Sequence, residues 1–265
     1  MSYLSPTLTL LVNAVKKSAS FLDREFSEIE QLQSSVRGAQ TFAEKSYNKL
    51  SQNLRIELGK IKPGCAIFED KMPIEQGPCF LIAPVDGLGN FVRGIRSFAT
   101  TAVYCENGEV KAAVICNPAG DELFFAEKGN GAYKEGFRNH ERLRVSALKD
   151  APSALVGVNV GAEKGSAEYV TAWNKILAAS DNIRCCGSVS LELANVAAGK
   201  TDVCGAFKSN LSGLVAGLLL VREAGGYLYN LDKKPLEPQK IEQVMSSDNI
   251  VAANANIKDL VAKIA

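Results

Sequence analysis

The stretch FLIAPVDGLGNFVRG, Phe80 to Gly94, constrains this chain more than any other. Phe80, Leu81 and Ile82 form an apolar run, Pro84 interrupts it, and Asp86-Gly87 opens a glycine-marked turn. The pattern predicts a buried strand that delivers one carboxylate and several free backbone N–H groups to a loop. A carboxylate binds a hard divalent cation and N–H groups bind an anion, so such a loop can hold a metal beside a phosphate. The same letters also describe a plain turn after a strand.

Around that strand, apolar runs alternate with glycine turns and flanking helical patterns, as a layered α/β protein needs to bury its sheets. Ser5-Pro6 is a plausible helix start, and Leu11, Val15, Leu22, Phe26 and Ile29 keep spacings of three, four or seven. One or two amphipathic helices are expected there, then a polar connection from Ser34 to Thr41 and a helix from Phe42 to Leu58. Pro63-Gly64 turns the chain into a short strand, Cys65–Phe68, ending in Glu69-Asp70. From Phe98 a meander follows, with Asn107-Gly108 as a tight hairpin turn because both positions tolerate positive φ.

Leu143 to Ala147 reads as a linker, which divides the chain into an N-terminal α+β half, 1–145, and a C-terminal α/β half, 146–265. In the second half a strand is expected at Leu155–Val160 and a helix over 166–180, with Trp173 in a packing role. Ser188 caps a further helix, strands follow around Tyr227–Tyr229 and Ile250–Ala253, and a last helix runs from Ile257.

Composition excludes more than it selects. Thirty basic against 29 acidic side chains give +1, which offers no bulk argument for nucleic acid or an anionic membrane. Seven cysteines lie in apolar segments and read as buried free thiols of a reducing compartment. The single histidine, His140, gives zinc or a Cys-His pair little support. The opening MSYLSPTLTLLVNAVKK makes a poor signal peptide, and the apolar run Leu211–Val221 is too short to span a bilayer. A cytoplasmic protein without a membrane partner is expected.

Four separated segments, Phe68–Asp70, Pro84–Phe91, Gly187–Gly199 and Ala216–Gly226, together resemble the inositol monophosphatase family, in family order. Its motif Asp-Pro-Ile-Asp-Gly-Thr-Thr-Asn-Phe is matched by Ala83-Pro84-Val85-Asp86-Gly87-Leu88-Gly89-Asn90-Phe91. The resemblance implies the layered αβαβα sugar-phosphatase fold, hydrolysis of small phosphate esters with Mg²⁺, and a homodimer. One bacterial branch of the family associates with the transcription antitermination machinery, so a protein partner is a further implication.

Residue by residue, the match keeps some of the family's site and loses the rest. Asp70, matched to the second Glu of the family's Gly-Glu-Glu, and Asp86 remain as a remnant metal site. Gly87, Leu88 and Arg93 fall where phosphate would bind, and Gly187, Ser188 and Val189 on the substrate side. Replaced are Tyr47 and Ala83 at metal-binding aspartates, Leu88 at a threonine, Ala206 at a substrate-binding acid and Gly213 at the Asp of Trp-Asp. Asp70 and Asp86 are expected in one cleft. There they either hold one hydrated cation weakly or sit among solvent near Arg93 and Arg96. Arg93 and Arg96 in turn either hold phosphate without metal or are ordinary solvated residues.

Two function classes compete. The first is a catalytically degenerate member with a binding or regulatory role, a small phosphorylated ligand, and no cofactor or weakly bound Mg. The second is an active Mg-dependent phosphatase acting on inositol monophosphate or a related monoester.

Overall fold

A computed structural model describes residues 4–32, 36–73, 77–161, 167–180, 182–230, 234–247 and 249–257. Helix α1, Pro6–Ala19, starts where Ser5 accepts a hydrogen bond from the Leu8 N–H, with Pro6 in the first turn and Lys16 and Lys17 in the last. It packs with α2, Leu22–Gln31, and the long α3, Val36–Ile61. Residues 36–41, expected as part of a polar connection, belong to α3. Its stripe of Ala39, Ala43, Leu50, Leu54 and Leu58 is buried, and that packing extends the helix past the glycine at 38.

A seven-stranded sheet follows with its strands in chain order. These are β1 (Ala66–Glu69), β2 (Cys79–Asp86), β3 (Ala99–Glu106), β4 (Glu109–Asn117), β5 (Glu122–Glu127), β6 (Gly131–Lys134) and β7 (Glu141–Arg142). β1 and β2 are parallel and every later pair is antiparallel. The β3–β4 hairpin turns at Asn107 and Gly108 with φ of 56° and 70°, as their side chains allow. Short α4, Leu88–Val92, follows β2.

The second sheet has five strands in the order β11-β12-β10-β8-β9. They are β8 (Leu155–Val160), β9 (Asn182–Arg184), β10 (Val203–Phe207), β11 (Tyr227–Asn230) and β12 (Asn249–Ala253), with α5 (Ala167–Ala179), α6 (Val189–Ala197), α7 (Leu211–Glu223) and α8 (Ile241–Met245) among them. The helix expected from Ile257 lies outside the described residues, as does the start of the one expected over 166–180.

Strand alternation explains the layering. On β2, Phe80, Ile82 and Val85 face the core under α1–α3, whereas Cys79 and Leu81 face the core holding α6 and α7. That second core also takes Cys204, Ala206, Ile250 and Ala252 from the five-stranded sheet. The opposite face of this sheet, with Val156, Val158, Val203 and Val251, meets Ile176 and Trp173 of α5. The order is therefore helix, sheet, helix, sheet, helix: the layered α/β architecture that was expected. The apolar run Leu211–Val221 is the middle of this stack, and among the described residues no helix is long and apolar enough to cross a membrane.

Candidate functional site

β2 is buried at all eight positions, and Pro84 sets how it ends. Proline has no N–H to give the ladder, and the pairing with β3 slips between Ala83 and Asp86. The hydroxyl of Thr100 donates to the freed Pro84 carbonyl at 2.9 Å. The slip turns the Asp86 side chain towards the starts of α6 and α7.

There Asp86 is 4% exposed and almost fully occupied. Its Oδ2 accepts from the Ser190 hydroxyl at 2.6 Å, the Ser188 hydroxyl at 2.7 Å and the Ser190 N–H at 2.8 Å. Its Oδ1 accepts from the Asn210 amide at 2.6 Å. Asn210 in turn caps α7 by accepting from the Gly213 N–H at 2.7 Å. Beside it, the hydroxyls of Thr101 and Ser212 meet at 2.8 Å. One carboxylate thus ties the end of β2 to the positive ends of two helices, a favourable place for negative charge.

Gly87 leaves β2 with φ 85°, and a Cβ there would come within 2.9 Å of the Ser97 carbonyl, so glycine is required twice over. Asn90 then clamps the loop, donating to the carbonyls of Ser97 and Cys186, each at 2.6 Å. Gly187, at φ 83°, packs against that Asn90 amide, and Ser188 and Val189 begin α6 in the interior. Leu88 and Arg93 are exposed. Both border an open cavity of about 390 Å³ between α4 and the Gln40–Glu44 turn of α3. Arg96 is also exposed.

Beside β2 in the sheet, β1 ends in two acids with different fates. The Glu69 carboxylate accepts from the Tyr47 hydroxyl at 3.0 Å, the Ser51 hydroxyl at 2.5 Å and the Arg55 guanidinium at 2.8 Å. Burial alone would raise the pKa of Glu69, but these three donors outweigh it and hold it below the usual value. Burial, then the charge and hydrogen bond of Glu69, push the Tyr47 phenol far above its ordinary range, so it stays a neutral donor. Asp70 is exposed, with φ 57°. Burial first, then the charges of Glu69 and Asp86, raise its pKa, which puts the two aspartates within electrostatic reach of each other.

Of the positions that the resemblance pairs with family acids, Ala83 and Ala206 are interior and Gly213 lies in the first turn of α7. A Cβ on Gly213 would meet Asn210 Oδ1 at 2.7 Å, Val189 Cγ1 at 2.9 Å and Asp86 Cγ at 3.1 Å. The bare backbone at 213 is what lets Asp86 and Asn210 close over the helix.

Sequence reasoning missed Glu69, Ser190, Asn210 and Glu192. Glu192 is 1% exposed, accepts from the Cys186 N–H at 2.6 Å, and has its pKa raised by burial and then by the Asp86 charge. Asn210 before an apolar helical run is a capping signal, and a lone Glu inside SVSLELANVA is a buried-charge signal. The reading of the cysteines as buried needs correcting. Cys79, Cys105, Cys116 and Cys204 are buried and Cys65 partly so, but Cys185 and Cys186 are exposed. They sit in the loop before Gly187, which the Asn90 clamp holds by its backbone and leaves open to solvent.

The model of the inositol monophosphatase family matches residues 4–265. The chain belongs to this family. An inositol-1-monophosphatase of Rhizobium meliloti is 34% identical over 259 residues, 94% of each chain. A Nus factor SuhB of Xylella fastidiosa is 27% identical over 256 residues, 95% of this chain and 91% of its own. Among solved structures, the extragenic suppressor protein suhB of Bartonella henselae superposes with a TM-score of 0.82 at 27% identity, covering 98% of this chain and 99% of that one. The inositol monophosphatase fold is thus shared along the length of the chain.

Proposed function

We propose that this inositol monophosphatase family member has a binding or regulatory role built on a remnant anion cleft, and does not carry the two-magnesium hydrolysis of a phosphatase. The observation that carries the reading is the saturation of Asp86: one oxygen accepts three hydrogen bonds and the other accepts Asn210. Magnesium demands near-octahedral oxygen ligands, several of them anionic where two ions sit side by side. Here Ala83 and Gly213 supply no side-chain oxygen, Tyr47 is a neutral phenol, and Glu69 is already held by three donors. This donor set does not fit a two-metal centre.

Exposed Arg93, beside the 390 Å³ cavity, suits a small phosphorylated ligand. Calorimetric titration with phosphate in EDTA should show weaker binding for Arg93→Ala than for wild type. Equal affinities remove Arg93 from the site. A homodimer working in the cytoplasm completes the proposal, and a monomer mass by light scattering at micromolar concentration opposes it.

The second reading is a magnesium-dependent phosphatase, and the names of the relatives favour it over the first. The Rhizobium meliloti relative is called an inositol-1-monophosphatase. The deciding assay is phosphate release from inositol, sugar and nucleotide monophosphates at millimolar Mg²⁺ and Mn²⁺. Asp70→Asn is the control, because exposed Asp70 can change without disturbing the core as Asp86 would. The binding role predicts equal background from both proteins. Metal-dependent turnover that collapses in Asp70→Asn establishes the phosphatase instead.

A further inference from the structure

The geometry points to a second anion-binding site, at the β6–β7 edge of the seven-stranded sheet, for a small ligand carrying two or more phosphate groups. The site stands apart from the Asp86 cleft. β2 and β6 are four strands apart in the sheet, about 19 Å at ~4.8 Å per strand.

The segment Gly136 to Arg142 folds back beside Tyr133 and encloses an open cavity of about 860 Å³. Arg138, His140 and Arg142 border it, with the Asn139 amide as a further donor. Two of these side chains are held in place by packing. The Arg142 guanidinium lies against Gly131, where a Cβ would come within 3.3 Å of Nη2 and 3.4 Å of Nε. The absence of a side chain at 131 is what seats it. The His140 ring stands edge-on to Phe125, with centroids 4.9 Å apart at 86°. A planar guanidinium already fixed in place loses less freedom when it pairs with a phosphate.

Charge balance favours an anion. Glu135 also borders the cavity, but both its oxygens take Lys16 at 2.8 Å. Glu141 places a carboxylate oxygen near Gly136 and is not so neutralised. Among the described residues, neither Arg138 nor Arg142 has an ion-pair partner, and with Glu135 paired to Lys16 the lining carries an excess of positive charge. Two separate forks in a space far larger than a single phosphate suit a ligand with at least two phosphates.

Next to the cavity, Phe137 projects fully into solvent. An aromatic ring beside arginines is also what a single nucleic-acid strand would use, so the test includes that ligand. Pyrophosphate is titrated calorimetrically into wild type, Arg138→Gln/Arg142→Gln, Arg142→Lys and Arg93→Ala, all in EDTA and after confirming that their melting temperatures match. The proposal expects at least tenfold weaker binding by the double variant, an intermediate loss for Arg142→Lys, and a retained high-affinity phase in Arg93→Ala. Binding unchanged in the double variant, or no binding by wild type, overturns it. A ten-nucleotide single strand that binds a hundredfold tighter than pyrophosphate, and loses this in the double variant, assigns the surface to nucleic acid and likewise overturns the small-ligand site.

Discussion

Asn210 donates its amide to Asp86 at 2.6 Å while its own carbonyl caps the Gly213 N–H of α7 at 2.7 Å. A strand end and a helix start are therefore joined through one side chain, and removing it breaks both bonds. Asn210→Ala should cost on the order of 2–4 kcal/mol, combining a lost cap with a buried carboxylate short of a donor. Urea unfolding measures this. A loss under about 0.5 kcal/mol would show that Asp86 does not depend on Asn210.

Placing an acid at position 213 should not create a metal site. In Gly213→Asp the new Cβ must displace Asn210, Val189 or Asp86, each within 3.1 Å of where it would sit. Overpacking of this kind costs about 1–3 kcal/mol. The expected result is a lower melting temperature that millimolar Mg²⁺ does not recover. Recovery by Mg²⁺ would mean that the two side chains swing aside to make a ligand set.

The two acids at the end of β1 should respond to pH in opposite directions. The pKa of Asp70 is raised in the fold, so its ionisation opposes folding once pH passes its unfolded value of about 3.9. Asp70→Asn should then stabilise the protein at neutral pH by a few tenths of a kcal/mol after solvent screening, and have no effect below that value. The pKa of Glu69 is lowered, so its contribution is present above its unfolded value of about 4.3 and is lost as pH falls through the folded value. Glu69→Gln should destabilise at pH 7, with the deficit closing in acid. Denaturation curves at several pH values test both signs, and parallel shifts for the two variants would contradict the assignment.

Thiol chemistry should report the charge of Glu192. Cys186 is exposed, yet burial of its thiol and the Glu192 charge push its pKa up to about 11. At pH 8 only about one part in a thousand is then thiolate, the reactive form. Cys186 should therefore label slowly with a disulfide reagent at pH 8 and faster in Glu192→Gln, as mass spectrometry of the partly labelled protein would read. Equal labelling of Cys186 in the two proteins would mean that Glu192 does not reach it.

How much of this was legible beforehand follows from where the physics is local. Asn107-Gly108, the Ser5 and Ser188 caps and the Pro84 break announce themselves because turn, cap and proline geometry depend on neighbours in sequence. The start of α3 was misplaced because glycine at 38 reads as a breaker when the buried stripe supporting it is unseen. The site was harder. Asp86 was recognised as the central carboxylate, but its four donors come from residues 188 to 210, and no local pattern indicates that they converge. Glu69 was passed over for Asp70 because two adjacent acids look alike until one turns towards Tyr47 and the other, at φ 57°, towards solvent.

The seven-stranded sheet adds its strands in chain order, so from β2 onward it can close by successive hairpins. The five-stranded sheet cannot, since β10 must find β8 across the intervening α5 and α6. Contacts between distant segments carry a larger loop-closure cost and form slowly. Asp86 is on the sheet that can close by hairpins, while its donors Ser188, Ser190 and Asn210 lie 102, 104 and 124 residues further along the chain. Until those donors arrive its carboxylate has only water for partners, so closure around Asp86 is expected to follow the sheet that carries it.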